Sequence, residues 1–287
     1  MPVLTASRVT IVAGKGGVGK TTVTAVLARA AADAGKRVLV VELDGKPVLG
    51  ELAGDLPCET IAAPAALEEY LRDHGFGRFA KRLSSSGVID VVATAAPGID
   101  DIVVLGKIKQ FERSRKWDVI VVDGPAAGHA VTFLLAAAGL RAAVRGGPVR
   151  TQADDVAELL GNPARAQVVL VTLPETTPVN EAIETAFALE DRVGVRLGAI
   201  VVNAIDGLGD ERPPDARAVA MEPGPDADLL MRAADFRRSR QQVQDEEIAR
   251  LGRELALDQW LLPLLPVAGL DAEHVKLLAG VIQGGRR

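Results

Sequence analysis

Two lysines, a pair of threonine hydroxyls and a set of glycines fall together in Gly14-Lys15-Gly16-Gly17-Val18-Gly19-Lys20-Thr21-Thr22. Glycines at this density let a loop turn its backbone N–H groups inward, and such a nest holds anionic oxygen. The spacing Gly14, four residues, Gly19-Lys20-Thr21 is that of a loop wrapping nucleotide phosphates, in which Lys20 reaches the β and γ phosphates and the Thr21 hydroxyl ligates Mg²⁺. The flanks are those the chemistry needs. VTIVA ahead of the loop reads as a buried strand. TTVTAVLARAAADAG after it reads as a helix stopped by Gly35, so a bound anion meets a helix N-terminus.

Carboxylates recur at the ends of the next apolar runs. VLVVEL leads to Glu42 and Asp44, and Trp117-Asp118-Val119-Ile120-Val121-Val122-Asp123 ends on Asp123. Strand, phosphate loop, helix and strand make a βαβ unit whose crossover is right-handed and whose strands are parallel. Ligands collect at the carboxyl ends of such strands, so Glu42 and Asp44 are expected to point toward the nucleotide. Asp123 is placed to hold Mg²⁺ through water or to orient the loop that follows it.

Lys15, the extra lysine after the first glycine, makes the loop resemble the deviant Walker A family (KGGxGKT), which includes MinD, ParA, nitrogenase iron protein and the ArsA-type ATPases. The resemblance implies a P-loop NTPase fold and a dimer, homodimeric or with an ArsA-like paralogue. In that dimer Lys15 reaches the phosphates of the nucleotide held by the partner. Within the ArsA-type branch, which serves anion transport and tail-anchored-protein targeting, Asp44 matches the switch I aspartate that holds the attacking water. The family's DPAHS is rewritten here as Asp44-Gly45-Lys46-Pro47-Val48, so only the aspartate carries over. Asp123, Gly128 and His129 match the switch II pattern DTAPTGH in register, while the residues between do not. Gly128 would let the backbone approach the γ phosphate or pivot between states; His129 is either a switch contact or a capping or core histidine. Asn203, at the end of the fifth strand, matches the asparagine that hydrogen-bonds adenine, making ATP/ADP the expected nucleotides. The resemblance implies an ATPase whose nucleotide state drives dimer closure and binding of a client protein or membrane component. Slow positioning switches of MinD or ParA type, and subunits working beside a paralogue, are the alternative uses. One cysteine and three methionines disfavour a clustered-thiolate arsenite site, a zinc-binding CxxC clamp and a methionine-rich client groove.

The elements that must position these residues form an α/β fold, a mostly parallel doubly wound sheet flanked by helices, with a small helical subdomain. The chain reads as one domain over 1–287. An inserted segment over about 55–116 carries helix-like spacing, one stretch spanning 65–83 and another starting near 99. Apolar residues at 130–140 make a helix that either walls a client surface or lies in the core. A helix over 151–160, a strand over 167–173, a helix over 179–191 and a strand over 198–203 follow. Residues 205–227, rich in Gly, Pro, Asp and Ala, read as a flexible loop. A charged helix over 229–256, an edge strand over 261–266 near the base and a helix over 271–282 close the chain.

A net charge of -5 argues against a nucleic-acid binder, and the mixed signs of the 229–256 helix argue the same. No apolar run reaches a membrane-spanning length, so stable insertion is not expected. The single Cys58, and a start that lacks a basic and apolar leader, suggest a reducing cytoplasm. His74 has no ligand-type neighbours at metal-binding spacing.

Overall fold

The computed structural model describes residues 6–43, 48–72, 98–208 and 227–284. Asp44, Lys46, His74, most of the 65–83 stretch and nearly all of the loop expected at 205–227 lie outside these residues.

The first strand, β1 (Val9–Gly14), is buried at every position, as a strand covered by helices on both faces must be. It lies at the centre of a seven-stranded sheet of order β3-β2-β4-β1-β5-β6-β7, built with β2 (Val38–Glu42), β3 (Cys58–Thr60), β4 (Val119–Ala126), β5 (Ala166–Thr172), β6 (Leu197–Ile205) and β7 (Gln259–Pro263). Every strand pairing is parallel. After β1 the chain builds the sheet to one side through β4, then crosses to the other side at β5. The reversal leaves a crevice at the carboxyl end of β1, where open parallel sheets bind ligands.

Side chains alternate between two cores. Val12, Val40, Val121, Val169 and Val201 face α1 (Lys20–Asp33), α2 (Val48–Ala53) and α9 (Ala272–Gly284). Ile11, Leu39, Ile120, Val122, Leu170 and Ile200 face the opposite layer. That layer holds α3 (Ala63–Leu71), α4 (Ile99–Arg113), α5 (Ala127–Ala143), α6 (Pro148–Gly161), α7 (Thr176–Ala188) and the end of α8 (Ala227–Glu254). A π-helical turn, Leu189–Val193, continues α7 and is closed by Gly194 in the left-handed region.

The segment expected to be helical from 55 contains a short strand instead. β3 pairs Cys58 with Val40 and Thr60 with Glu42. All three of its residues are exposed, so it lacks the apolar alternation that would have marked it. Six-residue α2 was likewise unmarked. The apolar helix expected at 130–140 is α5, and it is a core helix: Ala130, Phe133, Leu134, Ala137 and Leu140 are all buried in the layer shared with α4 and α6. β7 is at the sheet edge, where its Pro263 costs no ladder bond.

Candidate functional site

The loop between β1 and α1 is held in place from three directions. Gly14 ends β1 so close to β5 that an added Cβ would lie 2.3 Å from the Val171 carbonyl oxygen. Val18, 2% exposed, is buried in the α1-side core and anchors the loop's middle. Asn203, on β6, donates from Nδ2 to the Val18 carbonyl at 2.9 Å. The same amide lies 2.3 Å from where a Cβ on Gly19 would sit. Gly17 and Gly19 have φ of +86° and +89°, a region that glycine enters without strain. Between the anchors, Gly16 and Gly17 are exposed.

Helix α1 starts at Lys20, has no acidic residue in its first turn and no side-chain cap. Its N-terminal N–H groups and dipole are therefore available to an anion. Within that turn, the Thr21 hydroxyl donates to Asp123 Oδ2 at 2.8 Å, and Thr24 makes a longer contact to Oδ1 at 3.4 Å. Asp123 reaches them because it follows Val119 and Val121 onto the α1 face of β4. Glu42 is its register neighbour on β2, is 6% exposed and accepts a bond from the Thr60 hydroxyl at 3.2 Å.

Both loop lysines have protein acceptors. Lys20 Nζ donates to the Lys15 carbonyl at 3.2 Å. Lys15 Nζ pairs with Glu181 Oε1 on α7 at 2.5 Å. No motif marks Glu181 in the sequence; it lies within an ordinary helix, and the packing of α7 beside the loop brings it to Lys15. It lines an open groove of about 440 Å³ with Ala127, Gly128 and Thr132 of α5 and Arg192 of the π turn.

The switch-like residues fall beside this groove. β4 runs on through Gly124 to Ala126 and passes directly into α5. Gly124 is required by packing, since a Cβ would lie 2.4 Å from the Val12 carbonyl oxygen. Gly128 is not: it is exposed, and no atom lies within 4 Å of an added Cβ. His129 is exposed on the first turn of α5, which removes the core alternative for it. Its neighbour Asp101, on α4, has its carboxyl pushed above the ordinary value by burial and by Asp100, with His129 opposing.

The structure thus brings Gly14, Lys15, Gly16, Gly17, Val18, Gly19, Lys20, Thr21, Thr22, Asp123 and Asn203 to the carboxyl edge of β1, β4 and β6, with Gly128 at the adjoining groove. Asp44 follows the carboxyl end of β2 and lies outside the described residues. Among the described residues no cluster of three or more His, Cys, Asp or Glu forms a metal site. None of the described helices is long and apolar enough to cross a membrane.

The sequence profile of the anion-transporting ATPase family matches residues 7–145. Among curated proteins, the chain is 31% identical to the ATPase BagA of Mycobacterium tuberculosis, covering 79% of this chain and 73% of that one. It is 30% identical to the arsenical pump-driving ATPase of Escherichia coli, over 76% of this chain and 38% of that protein. The corresponding ATPase of Acidiphilium multivorum is also 30% identical, over 70% and 35%.

Proposed function

Because the chain belongs to the ArsA-type, anion-transporting ATPase family, we propose that it binds ATP/ADP with Mg²⁺ at the loop of residues 14–22, hydrolyses ATP, and uses the nucleotide state to close a dimer around a client. The observation that supports this best is the joining of Thr21 and Asp123, from α1 and β4, at the mouth of an anion-binding loop.

The donors suit Mg²⁺, which favours hard oxygen ligands: Thr21 would hold it directly and Asp123 through water. A bound ion there would neutralise charge on the phosphate oxygens. The remaining roles belong to the chain. One bond of Lys20 goes to the Lys15 carbonyl, and an anionic phosphate oxygen is a stronger acceptor than that neutral group, so Lys20 would bond the nucleotide in its place. The N–H groups of Gly16, Gly17, Val18, Gly19 and Thr22 would cradle the phosphates, and Asn203 would approach the base. Asp44 would orient the attacking water, and Lys15 would supply positive charge to a nucleotide across the dimer interface. Gly128, unconstrained by packing, would let switch II pivot.

Two relatives are named as arsenical pump-driving ATPases, yet Cys58 is the sole cysteine and is exposed on the edge strand, so a cluster of thiolates for arsenite cannot form within one chain. The load is better sought in a client protein or membrane component, with a cytoplasmic location and no nucleic-acid partner. A slower, switch-like use alone or beside an ArsA-like paralogue is favoured by one observation: Lys15 is engaged within its own chain.

The test is ATP binding and turnover by the purified chain with its oligomeric mass, compared with Lys20→Ala. A loss on the order of 100-fold in turnover is expected for removing such a charge-stabilising group. Absence of both ATP binding and hydrolysis in the unaltered protein overturns the reading.

A further inference from the structure

Lys15 and Glu181 link the glycine-rich loop to α7, joining residues 166 positions apart. The pair is 37% and 38% exposed, so it is water-screened and readily broken, unlike a structural ion pair in a core. Its position ties it to both sides of the site. On the loop side, Lys20 holds the carbonyl of Lys15 itself, so recruitment of Lys20 by a phosphate also releases the residue that carries the latch. On the α7 side, Glu181 shares its groove with Gly128, at the start of the helix that follows the switch. Glu184 and Arg192 are the other charged groups of that groove.

We propose that Glu181 is a positioning residue: in the single chain it holds the Lys15 ammonium on α7, and it yields the lysine when a nucleotide-loaded partner presents its phosphates. A carboxylate carries one negative charge and sits in water-screened surroundings. A triphosphate carries several and is closed off from water in an interface, so the exchange runs toward the nucleotide. The pair therefore raises the ATP concentration needed for closure and keeps Lys15 from lying free at the loop mouth. The inference rests on the proposed role of Lys15 across a dimer, and its test separates the two.

The cis contact is read first, without nucleotide, by labelling the purified protein with a small amine-acylating reagent and measuring Lys15 modification by mass spectrometry, with exposed Lys36 as reference. Glu181→Gln should raise Lys15 labelling about two- to five-fold, the range of an exposed ion pair, and leave Lys36 unchanged; Glu181→Asp should restore most of the protection. Sedimentation against ATP is the second measurement. Glu181→Gln should lower the ATP concentration for half-maximal dimer by a similar factor, and the shift should vanish in the Lys15→Ala background. Equal labelling of Lys15 in the unaltered protein and Glu181→Gln overturns the latch. A higher ATP requirement in Glu181→Gln also overturns it, since Glu181 would then act within the closed dimer. If Lys15→Ala dimerises normally with ATP, the trans role of Lys15 fails while the labelling result still judges the cis pair.

Discussion

Asn203 carries two possible duties in one side chain. The amide braces the loop through the Val18 carbonyl and stands against Gly19, while the base contact is the duty proposed for it. Loss of the brace removes one partly buried hydrogen bond, a cost of about 1–1.5 kcal/mol, or about a tenfold drop in affinity. Asn203→Ala is therefore expected to weaken ATP, GTP and pyrophosphate binding alike, measured by calorimetry. A loss confined to adenine nucleotides would assign Asn203 to the base alone. At this scale much is legible before the fold. The roles proposed for Gly19-Lys20-Thr21 and Asp123 follow from residue type and spacing along the chain. The brace was not, because Asn203 meets Val18 only through strand order.

Among the elements, the end of α4 is tied to the start of β5 and to the segment entering β1. Glu112, 4% exposed, accepts two bonds from Arg165, at 2.8 and 3.3 Å, with Arg8 at 3.9 Å. The Glu112 carboxylate in turn raises the Arg165 guanidinium through a hydrogen bond. Glu112→Ala removes the carboxylate that both arginines share and leaves the mostly buried Arg165 without it, so it is expected to cost on the order of 3 kcal/mol in urea unfolding. A change below about 0.5 kcal/mol would show that Glu158, at 2.9 Å on the exposed side, suffices for Arg165. Long periodic elements such as β1, α1, β4 and β5 were evident from hydrophobic pattern, since each satisfies its own backbone or is a continuous β-branched run. β3 and α2 were not. Their existence depends on an open edge of β2 and a vacant site against α1, which no local pattern announces.

For the whole molecule, ion pairs decide the response to acid. Hydrogen bonds from arginine or lysine hold the carboxyls of Asp55, Asp118, Asp155 and Asp206 below the ordinary range. Asp271 is lowered first by a backbone bond from His274. A carboxyl lowered on folding contributes stability that is complete above its unfolded pKa, about 3.9, and is lost as pH falls through the folded value. Asp101, raised by burial, acts in the opposite direction. Thermal stability is accordingly expected to fall steeply below about pH 4, and Asp118→Asn to flatten that acid limb by removing the partner of Arg37. A melting temperature that is constant from pH 5 to pH 3 would contradict this balance.

What the sequence determined by itself is the candidate site: a glycine-rich loop between a strand and a helix, acids at strand ends, and an alternating α/β order that admits few topologies. These are local properties, carried by spacing, turn chemistry and periodicity within a few turns of chain. The tertiary structure decided how that site is held. Lys15 on Glu181, Asn203 under the loop, Glu42 beside Asp123 and α5 inside the core all join residues far apart in sequence. Such partners are chosen by strand order and helix packing, and chain spacing carries no record of them.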